Sequence, residues 1–348
     1  MATAFITPSN YSTVTGCVEP PPAARCLVAV DDYNLAATLA SGQAFRWSLR
    51  NEHWSGIIGN RWVRFHREQH LLVAETAELQ NDWRWLTDYL QTELDLRAVL
   101  TTFPEDEPMQ AAVAACRGLR LLRQEPWECL ASFILSSTKQ IVQIQQIIWL
   151  LCERFGEPIS VPPGCAPAFA FPSPARLAAA SEAELRGCKM GFRAPYLLAT
   201  ARLIAEGGFD LARLHNLRVE DARAELMKLP GVGRKISDCV LLFAYGFQSA
   251  FPVDVWVMKA LRQLYFPRRR MTVRQLYHFS ASHFGPNAGY AQQYLFHYVR
   301  TQTRHSIPQH RSPARPHQKK TMSQPGCSLS HQMGEGQGER NQQKPEAT

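Results

Sequence analysis

Residues 229–239, which read LPGVGRKISDC, place two glycines between segments of helical pattern. Gly231 and Gly233 allow positive φ and the close approach of another backbone. The first amides of the helix that follows have no partner within the helix and lie at the positive end of its dipole, where a phosphate oxygen binds well. The turn is therefore a candidate phosphate-binding site, although the same residues also suit a capped helix–turn–helix with a structural role only.

A single carboxylate lies in an apolar stretch 19 residues after Lys235. Residues 251–256 read FPVDVW, and Asp254 is their only charged member. Burying a carboxylate is costly unless the group has a partner or a task. Asp254 therefore either caps a helix that begins at Val255, as aspartate often does, or takes part in chemistry together with the turn.

The composition of the whole chain excludes several classes of protein. Its 348 residues suggest roughly two or three domains, and 38 Lys and Arg against 30 Asp and Glu give a net charge of +8. Such a surface attracts polyanions, but the excess is too small to establish nucleic-acid binding. No stretch has the length and apolarity of a membrane span, and residues 1–16 lack the pattern of a secretory signal. The cysteines lie at least nine residues apart, so no C-x-x-C motif indicates a metal site, and free thiols in a reducing compartment are expected.

Two parts of different pattern must position the turn and the carboxylate. Residues 26–104 hold short aromatic and β-branched segments separated by turns, which predicts an antiparallel sheet with one wet face. Residues 105–304 are mainly helical in pattern. We expect residues 1–25 to form a flexible arm, and residues 305–348, which hold no Phe, Trp or Tyr, to form a disordered tail. The predicted fold class is therefore α+β.

The individual elements follow from hydrophobic spacing. The predicted strands lie at residues 27–30, 45–47, 54–58, 62–65 and 71–73. The predicted helices include residues 195–206, 219–229, 235–244, 255–264 and 288–300, so that the glycine turn lies within a helix–turn–helix at about 219–245.

The turn and the carboxylate together resemble the helix–hairpin–helix Gly/Pro–Asp superfamily of DNA base-excision glycosylases. Lys235 comes directly after the hairpin glycines, where the monofunctional members lack an amine nucleophile. A lysine ammonium has a pKa near 10.4 and is not nucleophilic at neutral pH, but desolvation and the positive helix end both favour the free amine. The resemblance implies that Lys235 is the nucleophile, and that Asp254 stabilises positive charge on the sugar and helps to deprotonate Lys235.

Three further segments resemble one branch of that superfamily, the 8-oxoguanine DNA glycosylases of the eukaryotic type. They are residues 41–47 (SGQAFRW), 191–194 (GFRA) and 289–296 (GYAQQYLF). The resemblance implies a small N-terminal antiparallel β-sheet domain of the TBP-like kind, followed by a mainly α-helical helix–hairpin–helix glycosylase domain.

The resemblance also assigns roles around the base that is flipped out of the duplex. The carbonyl of Gly42 would accept the N7–H that only the oxidised base carries, whereas unmodified guanine would leave a buried acceptor unmet at a cost of about 1–3 kcal/mol. Gln292 would meet the Watson–Crick edge of the base, which would stack between Phe296 and Cys239. Arg193 would contact the orphaned partner base. The residues assigned to DNA binding are Gly231, Gly233, Arg193, Thr138 and Phe192.

The chain departs from the family around the partner base. The family's three asparagines, one of which fills the hole left in the duplex, correspond to residues 138–140 (TKQ), and its second partner-base arginine corresponds to Gln143. Phe192 takes the position of the aromatic wedge, and Trp256 takes that of a histidine that usually follows the carboxylate. We expect base excision to survive these changes, but the preference for cytosine opposite the lesion to be weaker.

The predicted function is removal of 8-oxoguanine from double-stranded DNA in base-excision repair, with lyase activity through a lysine Schiff base and β-elimination. We expect no cofactor, no metal and no membrane partner. The protein is predicted to act as a monomer on DNA inside the cell, in the nucleus of a eukaryote or in the cytoplasm or nucleoid of a bacterium. Two alternatives stay open: a glycosylase for another base, such as an alkylated purine, and a non-catalytic DNA-binding module that keeps the hairpin. Lys235 and the Gly42 segment argue against the first, and the pairing of Lys235 with Asp254 argues against the second.

Overall fold

Residues 5–6, 24–68 and 71–305 are described in a computed structural model of the chain. The arm predicted at residues 1–25 and the tail predicted at residues 305–348 fall almost wholly outside these ranges. The few members that are described belong to two strands and to the end of the last helix.

An antiparallel sheet forms the N-terminal part. Its strands are β1 (Phe5–Ile6), β2 (Ala24–Ala29), β3 (Trp47–Arg50), β4 (His53–Ile58), β5 (Arg61–Glu68) and β6 (Leu71–Thr76). Their order across the sheet is β1-β2-β6-β5-β4-β3. The turn between β3 and β4 has positive φ at both Asn51 and Glu52 (47° and 65°), which suits the twist of a tight hairpin. The predicted sheet is thus present, with β2 beginning three residues earlier than expected.

The strand predicted at residues 45–47 is displaced, because Phe45 leaves the sheet. Its ring packs edge-on against Phe133 of the helical part, with centroids 5.5 Å apart. β3 therefore begins only at Trp47, whose ring lies over Gly56 on the neighbouring strand, where any side chain would overlap the indole. The indole also stacks on Phe65, with centroids 5.2 Å apart, and its Nε1 donates to the Tyr89 hydroxyl at 2.8 Å. These contacts fix one end of the segment 41–47.

The helices fill the rest of the chain. They are α1 (Leu35–Ala40), α2 (Arg84–Leu90), α3 (Leu96–Leu100), α4 (Glu107–Ala115), α5 (Pro126–Leu135), α6 (Ile141–Phe155), α7 (Pro174–Ala178), α8 (Glu182–Gly187), α9 (Ala194–Ala205), α10 (Val219–Leu226), α11 (Arg234–Val240), α12 (Val255–Leu264), α13 (Val273–His283) and α14 (Ala288–His305). A two-stranded ribbon, β7 (Pro158–Ile159) and β8 (Ala168–Phe169), lies in the proline-rich connection after α6.

The predicted helix at residues 235–244 divides into α11 and a π-helical turn over Leu241–Tyr245. The carbonyl of Phe243 accepts from the amide of Gln124 at 2.8 Å, so a neighbouring segment takes up one acceptor of this turn. Gly246, with φ of 74°, then ends the turn. The helix predicted at residues 219–229 also ends early, at Leu226.

Two hydrophobic cores interlock where the sheet meets the helices. The sheet packs with α1 and α2 around Trp47 and Phe65, and Leu122 from the helical part belongs to this core. Conversely, Ala37 and Phe45 belong to the core of the helical part. The segment 41–47 is therefore held between both cores. None of the helices within residues 24–305 has the length and apolar character of a membrane-spanning segment.

Candidate active site

A cavity of about 440 Å³ lies among the segment 41–47, α5, α6, α11, α12 and α14. It brings together every residue that the sequence assigned to catalysis or base binding. These residues are Gly42, Lys235, Cys239, Asp254, Gln292 and Phe296. The residues assigned to DNA contact, by contrast, lie outside the lining of this cavity.

Lys235 reaches the cavity from the second position of α11. Its Nζ donates to the Ser136 hydroxyl at 3.2 Å and lies 5.0 Å from the centre of the Phe133 ring. Within the described residues no carboxylate forms an ion pair with it, so a hydroxyl and an aromatic face hold the amine. Ser136 had no assigned role in the sequence, because its contact with Lys235 joins residues 99 positions apart.

Asp254 caps a helix and also lines the cavity, so the first of its two predicted roles is observed and the second stays a prediction. As the N-cap of α12, its Oδ1 accepts from the amide of Val257 at 2.8 Å. The same carboxylate lines the cavity. Burial raises its pKa above the usual range, although the amides of Val257 and Trp256 and the charges of Lys235 and Arg300 partly oppose this shift. Capping thus holds the carboxylate in place without removing it from the site.

Position 42 requires glycine, both because of its backbone conformation and because of the side chains around it. Its φ is +82°, and a Cβ there would lie 2.7 Å from Cδ1 of Ile141 and 3.0 Å from a guanidinium nitrogen of Arg300. Only glycine adopts this conformation without strain and leaves that space empty.

The neighbouring Gln43 fixes this segment, although no sequence pattern singles it out. Its side chain is fully buried. Nε2 donates to the carbonyls of Thr38 and Arg120, both at 2.9 Å, while Oε1 accepts from the amide of Leu122 at 2.7 Å. A buried side-chain amide whose donors and acceptor are all hydrogen-bonded carries little desolvation cost, whereas replacing it leaves its partners buried without hydrogen bonds and destabilises the fold. Gln43 therefore positions the backbone of Gly42 rather than contacting a ligand.

Gln292 and Phe296 lie four residues apart on α14 and so share one face of it. Gln292 is 4% exposed, and its Oε1 has no hydrogen-bond partner among the described residues. A buried acceptor without a partner is costly, and here it borders the cavity, so it is available to a polar ligand. Cys239 lines the cavity from α11. Burial raises the pKa of its thiol to about 12, so Cys239 is neutral at physiological pH.

The two hairpin glycines differ. Gly231 has φ of +77°, and a Cβ there would lie 2.8 Å from the Cβ of Tyr196 on α9. Gly233 has extended backbone (φ −98°, ψ −178°), so it does not use the positive φ that a glycine allows. No described atom lies within 4 Å of where its Cβ would be. Gly233 thus leaves open space beside the start of α11, which suits the approach of a phosphate.

Arg193 is buried, and it joins two of the segments assigned to DNA. It is 2% exposed, donates to the carbonyl of Ser137, and donates to Oγ1 of Thr138 at 2.6 Å. Its neighbour Phe192 is 54% exposed, which is compatible with the wedge position that the resemblance implies. Arg193 can therefore contact a partner base only by giving up its hydrogen bonds to Ser137 and Thr138. Gln143, in place of a second arginine, is exposed and uses its Oε1 to accept from the amide of Gln140 at 3.1 Å.

Comparisons with known protein families agree with this geometry. Residues 25–130 match the N-terminal domain of 8-oxoguanine DNA glycosylases, and residues 131–283 match the HhH-GPD superfamily of base-excision DNA repair proteins. The fold and the site define a helix–hairpin–helix base-excision DNA glycosylase.

Two individual proteins that the chain resembles over most of its length show which family within this class it belongs to. The chain is 30% identical over 290 residues to the N-glycosylase/DNA lyase of Arabidopsis thaliana, which covers 76% of this chain and 77% of that protein. It is 31% identical over 262 residues to the N-glycosylase/DNA lyase of Saccharomyces cerevisiae, which covers 66% of this chain and 68% of that protein. The chain belongs to the family of N-glycosylase/DNA lyases that contains the 8-oxoguanine DNA glycosylases.

Solved structures confirm the fold class. The 8-oxoguanine glycosylase/lyase of Clostridium acetobutylicum, in complex with double-stranded DNA that carries cytosine opposite 8-oxoguanine, superposes with a TM-score of 0.76 and 30% identity. The match covers 80% of this chain and 96% of that one. A 3-methyladenine DNA glycosylase from Archaeoglobus fulgidus shares the fold at a TM-score of 0.66, with 20% identity.

Proposed function

We propose that this protein removes 8-oxoguanine from duplex DNA and then cleaves the damaged strand. The observation that carries the proposal is that one cavity of about 440 Å³ holds Lys235 and Asp254 beside Gly42 and Gln292. The amine of Lys235 and the carboxylate of Asp254 can carry out the reaction, while the carbonyl of Gly42 and the side-chain amide of Gln292 can select a base. A flipped nucleotide is the ligand that needs all four at once.

The reaction begins at C1′ of the flipped nucleotide. The Nζ of Lys235 loses a proton and attacks C1′, and the bond from C1′ to N9 of the base breaks, so that the base leaves with the bonding electrons and takes up a proton. Opening of the sugar ring between C1′ and O4′ leaves an imine between Lys235 and the sugar. Loss of a C2′ proton then expels the 3′ phosphate by β-elimination, and water releases Lys235 from the imine.

Asp254 supports this sequence in two ways. Because burial raises its pKa, the carboxylate holds a proton more readily than an exposed aspartate does and is better matched to take one from Lys235. In its charged form it stabilises the positive charge that develops on the sugar as the base departs. Ser136, which accepts from the Lys235 Nζ at 3.2 Å, holds the amine at the cavity wall before attack.

Selection of the oxidised base rests on Gly42. Its carbonyl accepts the N7–H of 8-oxoguanine, whereas guanine presents a lone pair at N7 and leaves the acceptor unmet, at about 1–3 kcal/mol. Gln43 makes this selection sharp, because its three buried hydrogen bonds prevent the Gly42 segment from adjusting to guanine. Gln292 meets the Watson–Crick edge, and Phe296 stacks on the base.

Borohydride trapping tests the proposal. The protein is incubated with a duplex that carries one 8-oxoguanine opposite cytosine, and borohydride reduces any imine to a stable covalent adduct. We expect an adduct with the wild type and none with Lys235→Gln, since only the amine forms the imine. Lys228→Gln is the matched control, because Lys228 lies nearby on the exposed side of the hairpin and pairs with Glu225 at 2.7 Å.

The choice of duplex separates the alternatives. No adduct and no excision on the 8-oxoguanine duplex would refute the proposal. Excision from a duplex that carries an alkylated purine, without excision of 8-oxoguanine, would show another specificity on the same scaffold. Duplex binding without excision of either base would identify a non-catalytic DNA-binding protein.

The same proposal fixes the setting in which the protein works. Its partner is double-stranded DNA containing 8-oxoguanine, on which it acts as a monomer inside the cell, wherever that DNA lies. Its chemistry uses Lys235 and Asp254 and no cofactor.

A further inference from the structure

The chain that follows Asp254 carries a strong local excess of positive charge. Residues 255–300 hold seven Lys and Arg and neither Asp nor Glu. Four of these lie exposed in the connection from α12 to α13 and in the first turn of α13, and we call them the distal arginines: Arg268, Arg269, Arg270 and Arg274. Within the described parts of the chain none of the four forms an ion pair. Charge concentrated without counterions indicates a polyanionic partner.

Three exposed arginines elsewhere in the chain have an acidic partner and serve as a reference. Arg84, Arg97 and Arg117 each have an aspartate at 2.8–3.3 Å. These three arginines are as exposed as the distal ones but are locally neutralised. Exposed arginines without an ion pair among the described residues also occur singly elsewhere, for example Arg50, Arg176 and Arg213, so the α12–α13 region is distinguished by having four of them close together in the sequence.

The connection that bears the distal arginines is anchored to the fold. Arg262 of α12 donates to the carbonyl of Met271 at 3.0 Å, and Thr272 caps α13 by accepting from the amide of Gln275 at 3.3 Å. Phe266 packs edge-on against Phe279, with centroids 4.8 Å apart. The arginines therefore project from a fixed backbone, which lowers the entropic cost of binding.

The surface that bears the distal arginines is continuous with the hairpin. Arg234, the first residue of α11, places its guanidinium 4.1 Å from the centre of the Tyr277 ring on α13. Tyr277 lies three residues after Arg274, on the same face of α13. These contacts link the start of α11 through Tyr277 to Arg274, the distal arginine on α13.

We propose that the distal arginines bind the phosphate backbone of the duplex that flanks the damaged nucleotide, beyond the part held by the hairpin and the cavity. This inference rests on the proposed function, because it takes the duplex to be bound at the hairpin. α12 has ten residues and so spans about 15 Å from Asp254 to the connection. One DNA strand advances about 3.4 Å per nucleotide, so a strand that follows α12 would meet the distal arginines about four or five nucleotides from the lesion. Guanidinium groups bind phosphate oxygens in pairs and read no base from the backbone, so the contact is independent of sequence.

The salt dependence of duplex binding tests this inference. We compare the wild type with the triple variant R268S/R269S/R270S and with the matched control R84S/R97S/R117S, which removes the same charge where each arginine has a partner. Each lost phosphate contact reduces the slope of log K against log salt by about 0.9, so the first variant should lose about 3 in slope and the control almost nothing. Single-turnover excision at saturating protein should stay at the wild-type rate in both variants, because neither set lines the cavity.

The position of the lesion locates the contact. We compare two duplexes of equal length. In one the lesion lies near the 5′ end of its strand, so the 5′ flank is short, and in the other it lies near the 3′ end, so the 3′ flank is short. The wild type should bind one of them more weakly, and the distal triple variant should bind both equally. An unchanged slope in the distal variant, or an equal loss in the control variant, refutes the inference and assigns these arginines to a partner other than DNA. Failure of the proposed function would appear separately, as absence of excision by the wild type.

Discussion

Gly42→Ala adds one methyl group at the point where the base-binding segment turns. The backbone there has φ of +82°, which costs an alanine about 1–2 kcal/mol. The new Cβ would also meet Cδ1 of Ile141 at 2.7 Å and a guanidinium nitrogen of Arg300 at 3.0 Å. The end of the Ile141 side chain can rotate away, but Arg300 is held by its bond to the carbonyl of Ala40. The backbone of residue 42 must therefore shift, and its carbonyl shifts with it.

The expected result is a loss specific to the damaged base. Misplacing the carbonyl forfeits a contact of about 1–3 kcal/mol, so excision of 8-oxoguanine should fall by about 5- to 150-fold in single-turnover assays. Cleavage at an abasic site involves no base and should fall much less. Gly207→Ala is the matched control, because Gly207 has φ of +75° but no atom of the described residues lies within 4 Å of the added Cβ. Equal losses on the two substrates, or a similar effect of the control, would refute the base-reading role of Gly42.

Four further predictions follow from the same contacts. Asp254→Asn should keep lesion binding but slow excision by about 10²-fold or more, measured by single-turnover kinetics; near-wild-type turnover would reduce Asp254 to a helix cap. Because burial raises the pKa of Asp254, the wild-type excision rate should fall, as the pH is lowered, at a less acidic pH than an ordinary aspartate would give, and Asp254→Asn should lack that limb of its pH profile. Excision opposite cytosine should show only a weak advantage over adenine or thymine, and Gln143→Arg should steepen it by about 1–3 kcal/mol across four duplexes that differ only in the opposing base; a steep wild-type preference would contradict this. Gln43→Met should lower the free energy of unfolding by about 2–4 kcal/mol in urea, since it strands the carbonyl of Arg120 and the amide of Leu122 and leaves the Thr38 carbonyl only the Ser41 hydroxyl, and an unchanged midpoint would show that these groups find other partners.

The sequence was most informative where a motif ties chemistry to a local structure. The cap at Asp254 and the apolar spacing after it predicted a helix at residues 255–264, and α12 has those bounds. The resemblance likewise predicted that residues from motifs far apart in the chain form one site. The cavity is lined by these residues. Short elements were missed: α1, α2 and α3 have five to seven residues, too few for a helical period to show.

Contacts between distant segments could not be read from the sequence. Arg193 reads as a loop arginine, yet its bonds to Ser137 and Thr138 join residues 56 and 55 positions apart and bury it. Gln43 looks like one polar residue in an aromatic segment until its partners at Arg120 and Leu122 are known. In both cases the side chain's environment depends on packing that no local pattern encodes.

The interlocked cores determine how the molecule should unfold. Bonds from Gln43 close loops of 77 and 79 residues, and Phe45 and Leu122 each belong to the core of the opposite part. Neither part can lose its core without exposing apolar surface of the other, so a single cooperative transition is expected. Since the cavity lies at this junction, we expect no partly folded form to retain it. Loss of excision activity and loss of tryptophan fluorescence should therefore follow one curve on heating.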